Sequence, residues 1–411
     1  MRIRRLHERI HEGVATMIRI VFVDDEIDVL DATRRAMHSM RSEWNMEFVL
    51  NGDAALDSLA RDPADVIVSD MRMPGMDGWH LLAKIKLLHP QTVRLVLSGQ
   101  ADPGAIMRLV GTAHQYIAKP GETKSVKAAI AQTQLLKRLL NSDELALLVG
   151  GVGTLPSCPS AFQAISQCLQ QPNASAADAA KIIARDVAMT ANIMKLVNSA
   201  FFGARQSITR VDRAVAYLGL DTVAALVLGH SLFQSGGSKV HDEAGLEGLW
   251  QHSLETATVV RAIALHEKLP HARVEEAFLA AMLHDVGRVV FATRDLGMSG
   301  RPAVASKDAL EEIERHHAEV GAYLLGLWGF PSHIVAAVAL HHAPSQRADA
   351  GLDLTALIHI ADRLTHREGE KTLEPVELGF EPGLLEGLGL VGHLPQWLAA
   401  LDASGREQVA P

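Results

Sequence analysis

The chain has 411 residues, 48% hydrophobic and 21% charged, with aromatics at only 4%. That composition builds globular cores from aliphatic side chains, and the length suits two or three domains. A formal net charge of -9 argues against a broadly basic nucleic-acid-binding surface, which needs positive charge to displace counterions. Cys158 and Cys168 form no CxxC pair and no disulfide pattern. They fit a reducing cytoplasm and read as small core residues. No apolar run reaches the ~18 residues of a membrane span, so a cytoplasmic protein without membrane attachment is expected. Residues 1–16 carry Arg2, Arg4, Arg5 and Arg9 but no apolar stretch. They are no secretory signal, and read as a mobile extension or a start-site artefact ahead of a domain beginning at Met17.

Residues 17–121 alternate short β-rich runs with amphipathic helices. The runs are IRIVFV (18–23), MEFVL (46–50), DVIVS (65–69), VRLVL (93–97) and QYIA (115–118), with helical stretches such as 27–40 and 79–88 between them. Four of the five runs are almost continuously apolar, as strands covered on both faces must be. The alternation predicts a doubly wound, flavodoxin-like α/β domain with a parallel sheet. One long helix is expected over 122–148, with Val126, Ile130, Leu136, Leu139 and Leu140 on its apolar stripe. It doubles as a connector and is broken by the glycines of 150–153, Pro156 and Pro159.

From 151 onward helical periodicity takes over, in stretches at 160–171, 176–199, 211–234, 246–268, 272–291, 308–328, 332–341 and 353–366. An all-α domain over 151–345 is predicted, followed by a helical extension over 346–411 whose Gly- and Leu-rich end is weakly specified. Trp250 and Trp328 read as core. Arg185 and Asp186 read as a surface pair of little energetic weight. Asn198 and Ser199 read as a helix cap and turn.

The polar residues at the strand ends form a set. Asp24 and Asp25 follow the first strand, Asp70 the third, Ser98 the fourth and Lys119 the fifth. Ligands of open parallel sheets bind outside the carboxyl ends of the strands, where all five fall. Three crowded carboxylates call for a hard divalent cation with oxygen ligands, most simply Mg²⁺. The cation and the Lys119 ammonium would neutralise a phosphoryl group in transfer to Asp70, and Ser98 could hydrogen-bond the group once it arrives.

Residues 17–120 resemble the response-regulator receiver family, through VDDE (23–26), SDMRMPGMDGW (69–79), LSGQAD (97–102) and QYIAKP (115–120). The resemblance implies that Asp24, Asp25, Asp70 and the backbone carbonyl of Arg72 hold Mg²⁺. It implies that Asp70 accepts the phosphoryl group from a sensor histidine kinase. Ser98 and Tyr116 would be the switch pair, and the Lys119–Pro120 bond would be cis.

Residues 155–345 resemble the HDOD family, a degenerate branch of the HD phosphohydrolases. The similarity runs through LPSCPSAFQAI (155–165), IIARDVAMTANIMKLVNSAFFG (182–203), ITRVDRAVAYLGLDTV (208–223), FLAAMLHDVGRVVF (278–291) and HHAEVGAYLLGLWGFP (316–331). The HD enzymes' ligand order is matched by His252, His284, Asp285 and Asp362. His317, His341 and His342 match the further ligands of members with two or three ions. Imidazole and carboxylate would suit Fe, Mn or Zn. Two features of the family's cyclic di-GMP hydrolases are missing: Arg288 stands where they carry Lys, and no GYP loop follows His342, where the chain reads APSQR.

Three functions stay open. The first is a phosphorylation-controlled switch whose helical domain engages a protein or nucleotide partner without chemistry. The second is a phosphorylation-gated, metal-dependent phosphohydrolase of a nucleotide such as cyclic di-GMP. The third and weakest is a DNA-binding factor, for which no basic recognition helix follows the first domain. Phosphorylation is expected to change dimerisation or domain contact, with a homodimer as one form of the response.

Overall fold

The computed structural model describes residues 17–98, 111–118, 123–137, 143–157, 159–171, 173–198, 208–228, 243–292, 307–346, 351–366 and 378–407. The first domain holds β1 (Ile18–Val23), α1 (Ile27–Met37), β2 (Trp44–Val49), α2 (Gly52–Arg61), β3 (Val66–Asp70), α3 (Gly78–Leu88), β4 (Val93–Ser98), β5 (Gln115–Ala118) and α4 (Thr123–Lys137). The strands form one parallel sheet in the order β2-β1-β3-β4-β5. All five residues of β3 are buried, as a central strand covered on both faces requires. The predicted second strand starts two residues early, at Trp44, because that ring is buried in the core. The order reverses between β1 and β3, and that reversal opens the crevice where such sheets bind ligands.

The helical domain comprises α5 (Asp143–Gly150), α6 (Pro159–Leu169), α7 (Ala176–Ile183), α8 (Val187–Val197), α9 (Val211–Leu218), α10 (Leu220–Leu228), α11 (Glu243–His266), α12 (His271–Met282), α13 (Val286–Ala292), α14 (Lys307–Leu327), α15 (Ser332–Leu340), α16 (Leu354–Thr365), α17 (Leu384–Leu388) and α18 (Leu394–Glu407). Where one connector helix was expected over 122–148, α4 and α5 are described, and residues 138–142 lie outside the described residues. Three other expected helices are each divided. The stretch 176–199 breaks because Asp186 caps α8, its carboxylate accepting from the Met189 amide at 2.6 Å. Asp186 is therefore a buried cap and not half of a surface pair. The stretch 211–234 breaks at Gly219, and 272–291 breaks at Leu283–Asp285.

Trp250 and Trp328 are buried as expected. Asn198 ends α8, and its side-chain amide clamps the Ile208 backbone through two 2.7 Å hydrogen bonds. Cys168 is a half-buried thiol and not a core residue, because it lies on the partly exposed face of α6; Cys158 lies outside the described residues. Residues 378–407 are more regular than their composition suggests. The α18 helix packs on α11 and buries Leu394, Trp397 and Leu398. Among the described residues, no helix is long and apolar enough to cross a membrane.

The two domains meet along a tight seam. The buried Arg94 guanidinium of β4 donates to the carbonyls of Pro90, Thr92, Thr112 and Gly150. The buried Lys195 ammonium of α8 donates to the Gly153 carbonyl at 2.8 Å and lies 4.6 Å from the Trp328 ring centroid. The glycines after α5 are thus no loose hinge. A Cβ on Gly150 would lie 2.2 Å from the Pro90 carbonyl oxygen, and one on Gly153 would lie 2.0 Å from that of Gly111. Main chain packs on main chain there, and a methyl group has no room. Gly153→Ala should therefore destabilise the full chain by about 1–3 kcal/mol through overpacking. Denaturant unfolding checks this, and an unchanged midpoint would contradict it.

Candidate functional site

The α/β domain places its first site at the carboxyl edge of the sheet. Val23 pairs with Ser69 and Asp70 pairs with Leu97, so Asp24 and Asp70 emerge side by side. Asp24 is buried and accepts from the Glu26 amide at 3.0 Å. Asp25 is exposed. Asp70 is largely buried and accepts from the Arg72 amide at 3.2 Å. Ser98 ends β4 opposite Ala118, which sets its backbone at the same edge; its side chain and Lys119–Pro120 lie outside the described residues. Tyr116 pairs with Val96 one step inside. Its ring is buried, and its hydroxyl makes no hydrogen bond among the described residues. Burial pushes that phenol well above its ordinary pKa, against the opposing charge of Arg94.

The second site lies among the helices. It is built around the break at Leu283–Asp285, where α12 stops before α13 starts. Inside one helix, His284 and Asp285 would point about 100° apart. The turn instead lets both reach one buried cleft. Gly287 completes the arrangement: a Cβ there would lie 1.9 Å from the His317 carbonyl oxygen, so only glycine lets α13 and α14 approach this closely. That approach sets His317 beside Asp285.

Two groups of donors result, each with its atoms within 4.8 Å of one another. One is His252, His284 and Asp362; the other is Asp285, His317, His341 and His342. Asp285 joins them. Its Oδ2 faces His252 Nε2 at 3.8 Å and His284 Nε2 at 3.5 Å, and its Oδ1 faces His317 Nε2 at 3.2 Å and His341 Nε2 at 3.8 Å. Asp362 Oδ1 lies 3.1 Å from His252 Nε2 and 3.7 Å from His284 Nε2. His342 sits at the exposed rim, with its Nε2 2.9 Å from His317 Nε2.

The donor set fits metal ions. The Nε2 atoms of His252, His284 and His341 and Oδ1 of Asp285 are buried and make no directional hydrogen bond. Meanwhile Nδ1 of His284 is turned onto the Ala281 carbonyl and Nδ1 of His341 onto that of Val338, both at 2.7 Å. A backbone carbonyl on Nδ1 fixes the tautomer and leaves Nε2 as the ligand atom. Three supporting residues have no signal in the sequence, because a histidine or arginine in a helical stretch looks the same whatever it touches. His359 holds the His341 carbonyl at 2.8 Å, His366 lies 3.4 Å from Asp362 Oδ1, and Arg363 lies 3.4 Å from His342 Nδ1. Arg288 sets its Nε 3.1 Å from Asp285 Oδ2, so a fixed cation flanks the shared carboxylate.

Family models match both halves of the chain: a response regulator receiver domain over residues 20–131 and an HDOD domain over 155–344. This chain is a receiver domain joined to an HDOD domain. The sequence is similar to an uncharacterized protein of Treponema pallidum, 25% identical over 213 residues, covering 48% of this chain and 39% of the relative. The receiver region is similar to the hydrogenase transcriptional regulatory protein HoxA of Cupriavidus necator, 38% identical over 103 residues, covering 25% of this chain and 21% of HoxA. The chain thus spans well under half of these curated relatives' length. Among solved structures, the response regulator MmoQ from Methylococcus capsulatus is 29% identical with a TM-score of 0.42, covering 57% of this chain and 98% of that one. The receiver domain of an HD domain-containing protein from Pseudomonas fluorescens is 26% identical with a TM-score of 0.28, covering 29% and 94%.

Whenever no metal ion is bound, protons would balance the charge in the HDOD cluster. Burial alone would lower the His284 imidazole, but Asp285 and Asp362 raise its pKa from 6.5 to about 9. Burial would raise Asp285 and Asp362, yet the surrounding imidazoles, with Arg288 at Asp285, hold both well below the carboxylate range. A raised folded pKa contributes stability that is complete below the unfolded value and is lost as pH rises through the folded one. Metal-free protein should therefore lose thermal stability between pH 6.5 and 9 as His284 deprotonates. Melting curves in chelator across that window test this, and a flat profile would contradict it.

Proposed function

We propose that the chain is a two-component response regulator whose receiver controls an HDOD domain that works by binding rather than hydrolysis. Asp70 accepts the phosphoryl group from a sensor histidine kinase. Asp24, Asp25 and Asp70 hold Mg²⁺, which supplies charge neutralisation for the transfer. Lys119 and Ser98 contact the arriving oxygens, and Tyr116 reports their rearrangement to the helical domain.

One observation carries this reading. The turn between α14 and α15 docks on the receiver beside Tyr116. The Gln115 side-chain amide, one residue from Tyr116, donates to the Leu327 carbonyl at 3.0 Å, and that of Gln132 donates to the Phe330 carbonyl at 3.3 Å. The turn ends the helix that carries His317 and starts the helix that leads into His341 and His342. A displacement at Tyr116 thus bears on the two helices that position three of the seven HDOD cluster residues. Such a route needs an element with two arrangements, and this docked turn is the candidate.

The shared Asp285 favours a second reading, metal-dependent hydrolysis of a nucleotide phosphodiester. His252, His284, Asp285, His317, His341, His342 and Asp362 would hold Fe, Mn or Zn, which would supply Lewis-acid polarisation of a phosphoryl oxygen. Against it stand the missing GYP loop and Arg288, a rigid cation already paired with Asp285 where the hydrolases carry Lys. On the first reading the partner of the HDOD domain is a protein or a nucleotide, the protein is cytoplasmic, and DNA is not its target.

Asp70→Asn should abolish labelling by a small phosphodonor in Mg²⁺; persistent acid-stable labelling of that variant would remove Asp70 from its role. With a phosphoryl mimic bound, amide exchange over 327–331 should rise at least severalfold, and unchanged exchange would disconnect the domains. The Fe, Mn or Zn held by the HDOD cluster should be lost in Asp285→Ala, whereas cyclic di-GMP should not be turned over. Turnover by the wild type that is lost in Asp285→Ala would promote the second reading.

A further inference from the structure

A second set of metal-ligating side chains lies outside both sites, where α11 meets the end of the chain. His266 is the last residue of α11 and Glu267 follows it. His393 closes the short 3-10 turn Val391–His393 that leads into α18. The three residues offer ligand atoms that all lie within 4.8 Å of one another.

The geometry converges on one oxygen. Glu267 Oε1 lies 2.8 Å from His393 Nδ1 and 3.1 Å from His266 Nδ1. The Trp397 indole N–H donates to the same oxygen at 2.8 Å. Ligands about 2.0–2.1 Å from a tetrahedral zinc ion stand roughly 3.3 Å apart, so these separations need only a few tenths of an ångström of opening. Both rings present Nδ1 toward the carboxylate. The indole gives that carboxylate the outer hydrogen bond that orients metal-bound carboxylates. Partial exposure leaves a fourth position open to water: the side chains of His266 and His393 are 33% and 40% exposed, and that of Glu267 13%. Glu267 is already ionised. Burial would raise its carboxyl, but the hydrogen bonds from His393, His266 and Trp397 hold it below the ordinary value.

We propose that His266, Glu267 and His393 form a binding site for a first-row divalent ion of the Zn²⁺ class, which clasps the C-terminal segment to α11. Two imidazoles and one carboxylate suit Zn²⁺ and its neighbours better than Mg²⁺ or Ca²⁺, which take oxygen ligands. The site joins residues 126 apart in the chain. It lies on the same helix as His252 of the HDOD cluster but fourteen residues further on, about 21 Å along the axis. The two sites therefore share no ligand.

The test uses the full-length protein and Zn²⁺ alone. His393→Gln keeps an amide that can donate to Glu267 but removes the ligand nitrogen, so it separates metal binding from simple hydrogen bonding. In equilibrium dialysis the wild type should bind one equivalent of Zn²⁺ more than His393→Gln or Glu267→Gln. At about a hundredfold excess over Kd, Zn²⁺ should raise the wild-type Tm by roughly 3 °C above any rise in His393→Gln. Cu²⁺ should quench a fluorescence component that is absent from Trp397→Phe, and His393→Gln should retain that component unquenched. Equal zinc stoichiometry in wild type and His393→Gln would overturn the proposal, as would quenching of Trp397 that survives in His393→Gln. Loss of metal from the HDOD cluster in Asp285→Ala, with this one equivalent retained, would confirm that the two sites are independent.

Discussion

The Asp285 carboxylate is the constraint on which the helical half depends. Its two oxygens face two different sets of histidines, so no single neighbour can satisfy it. A buried carboxylate in such a position is costly unless cations or metal ions surround it. The rest of the local fold answers that requirement. The α12 helix stops at Met282, three residues before α13 starts, α13 and α14 touch through Gly287, and α15 ends just before His341. Replacing Asp285 by an apolar residue would leave a ring of imidazoles facing one another, which is why an HD pair can persist as architecture even where no reaction is run.

Much of the first domain was legible because parallel strands buried on both faces read as continuous apolar runs. Asp24, Asp25 and Asp70 could be placed at the sheet edge from strand ends alone. The helical half was readable in class but not in detail. Nothing in a run of apolar residues shows that Asp186 will turn inward to cap a helix, or that the chain will break beside His284. The order His252, His284, Asp285, His317, His341, His342, Asp362 was visible through family likeness. His359, His366 and Arg363 were not, since each acts on another residue's orientation and such work leaves no spacing signature. The Glu267 cluster was invisible for a different reason: its members are far apart in the chain, and a weakly specified Gly-Leu tail gives no hint that it will fold back onto α11.

The seam between the domains inverts the usual distribution of charge. Arg94 and Lys195 are buried; Arg94 donates to main-chain carbonyls and contacts His114 Nε2 at 3.0 Å, and Lys195 donates to the Gly153 carbonyl beside the face of Trp328. Carbonyl dipoles and an aromatic face solvate a cation without supplying a counter-charge. Burial consequently draws the Arg94 pKa down to about 9 and pushes Lys195 well below its ordinary value. Cations held in this way are sensitive to small movements of the backbone that solvates them, which suits a junction between an input and an output domain.

The hydrogen bonds that cross the seam from Gln115, Gln132 and Arg94 end on the backbone oxygens of Leu327, Phe330 and Gly150. Side chains on the accepting segments can therefore drift in evolution without breaking the register between domains, provided the path of the main chain is kept. A foreign α/β input unit grafted ahead of this helical domain would need three donor side chains at the right heights, and no matched partner residues. Exchange of the input unit is therefore limited by the path of the main chain rather than by matched pairs of side chains.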